Sequence, residues 1–175
     1  MRIRVVPFTF GVVAALVVVV SGCAETLELP AGANGEVVGH VDGDTLDIAF
    51  AVDGQRVVER VRLIGVDTPE TKKPDTPIEC FGPEASARLS ALLPIGSYVD
   101  AVRDTEARDD YGRLLAYVHR ASDGVLVNEV LVREGYARTL FIAPNLAFES
   151  TLLAAERSAR TDGRGLWSAC AGTDG

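Results

Sequence analysis

Asp53-Gly54 lies between two runs of alternating apolar and polar character, Leu46 to Val52 and Arg56 to Ile64. A two-residue spacer of that kind is the strongest short-range signal for a β-hairpin. Upstream, Glu36 to Val41 reads as a strand, and Asp42-Gly43-Asp44-Thr45 interrupts it with a bend. The three runs therefore predict an antiparallel meander. Its third strand carries on towards Arg62-Leu63-Ile64-Gly65-Val66-Asp67-Thr68-Pro69-Glu70. Side chains alternate across a strand, so Val61 and Leu63 should face a core while Arg60 and Arg62 face the other way, with the Arg62 guanidinium free to meet an anion. Pro69 lacks a backbone donor and biases Thr68 away from helix, so pairing should stop there and present Asp67 and Glu70 at the strand end. Carboxylates facing an arginine suggest a hard metal ion and the phosphate such an ion polarises.

Downstream, Thr71 to Cys80 holds Lys72, Lys73, Pro74 and Pro77 and reads as an irregular exposed loop. Gly82-Pro83-Glu84 opens a helix with proline in its first turn and an acid near the positive end of the dipole. Ala85, Leu89, Leu92 and Leu93 line one face of it, and Pro94 and Gly96 end it. Tyr98 to Arg103 and Leu114 to Arg120 read as a fourth and a fifth strand, separated by an acidic loop from Asp104 to Asp110. A short helix is expected from about Val125 to Glu134, and a longer one from Leu146 to Arg160 after Pro144-Asn145, with Leu166 and Trp167 docking the tail. Five short strands with helices after the third and fifth fit an α+β, mainly β domain: a five-stranded OB-type β-barrel with about three helices packed on it.

At the N-terminus, Arg2 and Arg4 precede an apolar run from Val5 to Val20 and the small residues Ser21-Gly22. The run is shorter than the roughly 20 residues a spanning helix needs, so residues 1–22 read as a secretory signal. Val20-Ser21-Gly22-Cys23 resembles the bacterial lipobox, which implies cleavage before Cys23, lipidation of that cysteine and anchoring to a membrane. The alternative is a secreted protein with a stray cysteine; Arg2 and Arg4 are not adjacent, which leaves a twin-arginine signal unsupported. Residues 23–35 then form a disordered tether, residues 36–170 the domain and residues 171–175 a tail. Lipidation of Cys23 leaves Cys80 and Cys170 as a pair in an oxidising compartment, where a bridge is expected; two reduced buried thiols are the alternative.

The chain carries 17 Lys and Arg against 25 Asp and Glu, a formal charge of −8. Long-range attraction to a polyanion is therefore absent, and any nucleic-acid site must be a local basic patch. His40 and His119 have no metal-ligand spacing and no cysteine lies in a CxxC pattern, which speaks against zinc. An EF-hand fails because Leu46 stands where a third oxygen ligand would be.

Asp42-Gly43-Asp44-Thr45, Arg62 to Glu70, Gly82-Pro83-Glu84-Ala85-Ser86, Tyr111-Gly112-Arg113 and Val127-Asn128-Glu129 resemble, in order and approximate spacing, the staphylococcal-nuclease-like (thermonuclease) family. The resemblance runs from about Glu36 to Trp167. It implies a calcium-dependent phosphodiesterase that cleaves DNA and RNA to 3′-phosphate and 5′-hydroxyl ends. Asp44 and Asp67 match the calcium carboxylates, and Thr68 matches the residue whose backbone carbonyl completes the direct ligands. Glu70 matches the general base, Arg62 and Arg113 the two guanidiniums on the scissile phosphate, and Tyr111 a substrate-side tyrosine. Two further tyrosines of the type member fall at Phe141 and Ala143, so stacking on substrate is left to Phe141 and the hydroxyl contacts are gone. The type member is more basic where this chain has Asp104 to Asp110, and it has no counterpart of Cys80 and Cys170.

Each residue also has a plainer reading. Asp42 and Gly43 shape the bend, and Asp44 could bind its own backbone as a turn residue. Arg62 and Arg113 could be surface ion pairs, Glu70 a cap on the turn and Tyr111 packing; Asn128 could satisfy buried backbone groups. The expected partners are DNA and RNA and, through Cys23, a membrane, with the chain a monomer. The rival function is a non-catalytic OB-fold lipoprotein that binds nucleic acid or protein.

Overall fold

A computed structural model describes residues 27–71 and 77–171. The signal segment, residues 23–26 of the tether with Cys23, residues 72–76 of the loop after Glu70 and residues 172–175 lie outside the described residues. Among the described residues, seven strands and four helices follow in order: β1 (Gly35–Asp42), β2 (Thr45–Val52), β3 (Gln55–Leu63), β4 (Gly65–Asp67), α1 (Gly82–Leu92), β5 (Tyr98–Val102), β6 (Leu114–Arg120), α2 (Val127–Arg133), β7 (Arg138–Leu140), α3 (Glu149–Thr161) and α4 (Leu166–Ala169).

The meander forms as expected. β1 pairs antiparallel with β2, and β2 with β3 around Asp53-Gly54, both at positive φ as the mirror-image hairpin turn requires. β3 then pairs parallel with β6, β6 antiparallel with β5, and β5 closes on β1. The result is a closed five-stranded barrel, β1-β2-β3-β6-β5, of the OB type. Alternation fills its interior with Val37, Leu46, Ile48, Val61, Leu63, Val99, Ala116 and Val118, all essentially solvent-free. Leu89 and Leu93 from the α1 region and Val127, Leu131 and Leu152 from α2 and α3 complete the core.

Three expectations need correction. First, the strand that carries Arg62 does not continue to Asp67. Gly65 has φ +74°, and a Cβ there would stand 2.5 Å from Leu152 Cδ1 and 3.1 Å from Phe141 Cε1. Only glycine allows both the left-handed turn and that approach, so the chain swings out of the barrel, and β4 pairs with β7 in a separate two-stranded sheet. Second, the last long helix begins at Glu149 rather than Leu146. The Asn145 side chain does not cap it; it accepts from Glu106 N–H (2.7 Å) and donates to Glu106 C=O (2.9 Å), holding the 141–148 segment against the acidic loop. Third, the tether ends before residue 34. Asn34 bonds with Val99 C=O, Asp100 Oδ1 and both backbone groups of Ala101, and Gly35 already belongs to β1.

Cys80 and Cys170 are bridged, with Cα atoms 5.9 Å apart across 90 residues. The bridge joins Cys170, at the end of α4, to the residue after Glu79. Leu166 is buried in the one-turn α4, and the Trp167 ring lies 4.1 Å from the Arg160 guanidinium and 5.2 Å from that of Arg138.

Candidate active site

The bend between β1 and β2 is the floor of the site. Asp42 Oδ1 accepts from Gly43 N–H (2.8 Å), Thr71 Oγ1 (2.8 Å) and Ser86 Oγ (3.0 Å), which ties the bend to the Thr68–Thr71 segment and to α1. Burial disfavours the charged Asp42, but the Thr71 hydroxyl, the Gly43 N–H, the neighbouring Glu70 side chain and Ser86 outweigh it and hold the carboxyl below its usual range. Gly43 has no room for a side chain: a Cβ would lie 2.8 Å from Thr68 Oγ1 and 3.0 Å from the Ala85 Cβ. The bend therefore packs directly against Thr68 and against Ala85 of α1.

Asp44 is buried beneath Thr68. Its Oδ2 accepts from Thr68 N–H (3.1 Å), from Thr68 Oγ1 (3.0 Å) and from Arg62 Nη2 (3.2 Å), and its Oδ1 accepts from Thr45 Oγ1 (2.9 Å). Arg62 does point away from the barrel core as alternation requires, yet it is not free. Nη1 donates to Leu63 C=O (3.1 Å) and Val66 C=O (2.5 Å), and Nη2 also reaches Asp67 Oδ1 at 3.4 Å. These contacts exist because the chain turns at Gly65 and brings Val66 and Asp67 back past the Arg62 side chain, which is only 13% exposed.

Asp67 stands at the opening, half of its side chain in water. Burial of the remainder raises its carboxyl above the usual range, Arg62 pulls it back, and the negative charges of Asp44 and Glu79 raise it further. Glu70 is held at both ends of its residue: Oε1 accepts from Thr71 N–H (2.9 Å), and the Glu70 backbone exchanges hydrogen bonds with Glu79, N–H to Glu79 Oε2 and C=O from Glu79 N–H, each 3.0 Å. Arg113, from the turn before β6, completes the wall. Its Nε donates to Asp109 Oδ2 at 2.6 Å, and Asp109 Oδ1 takes the N–H groups of Tyr111 and Arg113.

Asp44, Arg62, Asp67, Thr68, Glu70 and Arg113 thus line one open cleft of about 440 Å³. Tyr111 is 86% exposed beside it, its ring 5.4 Å from the Arg113 guanidinium. Phe141 does not line that cleft. Its ring packs on the core over Gly65, while exposed Leu140 and Ile142 border a neighbouring cleft of about 250 Å³.

Several positioning residues carry no local signal in the sequence. Asp109 holds Arg113, and its place four residues earlier is the one hint available. Buried Glu156 on α3 accepts from Thr139 N–H and Oγ1, both 3.1 Å, and so fixes β7, the partner of the strand bearing Asp67. Two acids of the 104–110 loop are engaged by the fold, Asp109 by Arg113 and Asp104 by Ala147 and Tyr117. Asp104 is held below the usual carboxylate range chiefly by Ala147 N–H, with Thr105 and the Tyr117 hydroxyl adding to it, and burial pushes that tyrosine up to about 12.

A cation site is testable from the donors. Four carboxylates, Asp42, Asp44, Asp67 and Glu70, border the cleft that holds Arg62 and Arg113. The surplus is anionic oxygen with no histidine or cysteine, a set suited to a hard divalent ion and not to zinc. Among the described residues no group of three or more His, Cys, Asp and Glu is placed so as to hold a metal ion by itself.

Residues 60–169 match the model of the family described as staphylococcal nuclease homologue. The chain is similar to a thermonuclease of Staphylococcus hyicus, 37% identical over 133 residues covering 76% of this chain and 75% of the relative. A thermonuclease of Staphylococcus intermedius is 41% identical over 127 residues, 73% of this chain and 71% of the relative. The endonuclease YncB of Bacillus subtilis is 37% identical over 129 residues, 73% of this chain and 58% of that longer protein.

Proposed function

The chain belongs to the staphylococcal nuclease homologue family, and from that premise we propose that it is a calcium-dependent nuclease acting outside the cytoplasm, hydrolysing DNA and RNA to 3′-phosphate and 5′-hydroxyl ends. The observation that carries the reading is the convergence of Asp44, Arg62, Asp67, Thr68, Glu70 and Arg113, drawn from three separate stretches of sequence, on one cleft. A phosphodiester is an anion and a poor electrophile, so its hydrolysis needs positive charge where the non-bridging oxygens gain negative charge. Arg62 and Arg113, both lining the cleft, supply it. Each is held by carboxylates or carbonyls before substrate arrives, so little reorganisation accompanies the reaction.

Asp44 and Asp67 with the Thr68 carbonyl are the residues that would hold the divalent ion. When bound, it supplies the charge these carboxylates otherwise draw from Arg62, and it polarises phosphate and water. Glu70, fixed by Thr71 N–H, takes a proton from water as the water oxygen forms its bond to phosphorus and the bond to the 5′ oxygen breaks. The 5′ oxygen takes a proton from solvent to become the 5′-hydroxyl, Glu70 returns its own proton to solvent, and the phosphate stays on the 3′ side.

Export and lipidation at Cys23 belong to the same proposal. The Cys80–Cys170 bridge supports an oxidising compartment, and detergent partitioning of the native chain beside Cys23→Ser tests the anchor. For the chemistry, Arg113→Ala should lower kcat on DNA by about 100-fold or more, the scale of one oxyanion donor. Arg113→Lys should not restore it, because lysine lacks the forked donors. Unchanged hydrolysis by Arg113→Ala in a clean preparation contradicts the mechanism.

A further inference from the structure

Three clefts follow one another along β3. Val58, Glu59 and Arg60 line the first, of about 430 Å³; Arg60 and Arg62 line the candidate active site; Arg62, Leu63, Ile64 and Gly65 line the third. Arg113 borders all three, and Tyr111 the first and third. Arg60 is thus the cation shared by the first cleft and the site, as Arg62 is shared by the site and the third. The two stand on one strand face two residues apart, about 6.7 Å along a strand that rises about 3.3–3.4 Å per residue. That spacing is of the same order as the phosphate repeat of an extended nucleic-acid strand.

Arg60 is more accessible than Arg62, its side chain 53% exposed against 13%. Its cross-strand partner is Asp47, which accepts from Arg60 Nε at 2.9 Å and from Nη2 at 3.3 Å. An exposed pair of this kind contributes little to the fold, but it holds the guanidinium against Asp47, which lines the same cleft. Val58 is 50% exposed, and with the Tyr111 ring it offers apolar surface of the kind on which a sugar or base rests.

We propose that the substrate strand lies along β3, with the scissile phosphate at Arg62 and Arg113 and the adjacent phosphate at Arg60 in the first cleft. Asp47 competes with that phosphate for the guanidinium and weakens its hold. This inference rests on the nuclease reading. It extends the binding site beyond the reacting bond and makes hydrolysis favour strands over the shortest substrates.

The test compares two substrates with wild type, Arg60→Ala and Asp47→Asn in the presence of calcium. One is an octanucleotide; the other is a dinucleoside monophosphate, whose single phosphate is the scissile one. Arg60→Ala should lower kcat/KM on the octanucleotide about three- to fivefold, the scale of one exposed charge contact, through KM and not kcat. The loss on the dinucleoside monophosphate, which has no second phosphate, should be smaller. The slope of log affinity against log salt should fall by about 0.7, one phosphate contact on a single strand. Asp47→Asn should move the octanucleotide KM in the opposite direction, which a merely structural pair would not do. Equal effects of Arg60→Ala on both substrates, no effect on either, or losses of the same sign in both variants would overturn the second phosphate site while leaving the nuclease intact. A wild-type chain that cleaves neither substrate would remove the nuclease reading and this one with it.

Discussion

Asn128 sits fully buried at the start of α2, and its amide joins three elements. Its Oδ1 accepts from Val118 N–H (2.9 Å), and its Nδ2 donates to Ile64 C=O (2.9 Å) with a longer approach to Ala116 C=O (3.5 Å). Ala116 C=O keeps a partner without it, because Ile64 N–H already donates there at 3.0 Å. Asn128→Ala therefore orphans one buried N–H and one buried C=O, each at about 1–3 kcal/mol, and leaves a small void. The expected loss is about 3–5 kcal/mol. In urea, with the disulfide intact and a slope of about 1–3 kcal/mol/M, the midpoint should fall by about 2 M with the slope unchanged. The folded fraction should also lose activity, since Ile64 opens the turn that delivers Asp67. Asn128→Asp keeps the acceptor for Val118 but buries a carboxylate against Ile64 C=O. Its pKa should be raised, so its deficit is full at neutral pH and shrinks as pH falls through the folded value. An Asn128→Ala loss below about 1 kcal/mol would refute the view that this amide locks the barrel to the site.

Reducing the Cys80–Cys170 bridge, or replacing both with serine, frees a 90-residue loop and should cost about 4–5 kcal/mol in the chain-entropy model, read as a lowered urea midpoint. Asp67→Asn should slightly raise thermal stability in chelator, because it removes a carboxylate that burial and its acidic neighbours disfavour, and should diminish the stabilisation that calcium gives the wild type. A calcium-induced shift of full size in that variant would exclude Asp67 as a ligand. Asp42 and Asp104 are held below the unfolded value of about 3.9, so their stabilisation is complete above that pH and is lost as pH falls through the lower folded values. Asp104→Asn should flatten the acid limb of the stability profile, measured by urea midpoints across that range.

The barrel was legible because its signals are local. Asp53-Gly54 fixes one hairpin, and strict alternation at Val61 and Leu63 fixes the face that Arg62 takes. The β4–β7 pair was not legible. Each strand is three residues long, and Val66-Asp67 reads as a continuation of β3 until the φ of Gly65 is known. The clamp on Arg62 was missed for the same reason, since Val66 C=O reaches the guanidinium only after that turn. Asn145, Glu156 and Asp104 look like surface polar residues. Their partners lie 39, 17 and 43 positions away, and no periodicity reports a contact of that range. The Cys80–Cys170 bridge was recoverable by counting once Cys23 was set aside.

The most direct measurement is digestion of plasmid DNA and of RNA by the purified chain from residue 24 to 175, in calcium and in chelator, beside Glu70→Ala. Cleavage of both polymers in calcium, leaving 3′-phosphate ends, abolished by chelator and reduced by about 100-fold or more in Glu70→Ala, is the result expected of a metal-assisted site with a positioned general base. A folded, disulfide-bonded sample that cleaves neither polymer in calcium or other divalent ions, or a Glu70→Ala variant as active as wild type, would contradict it.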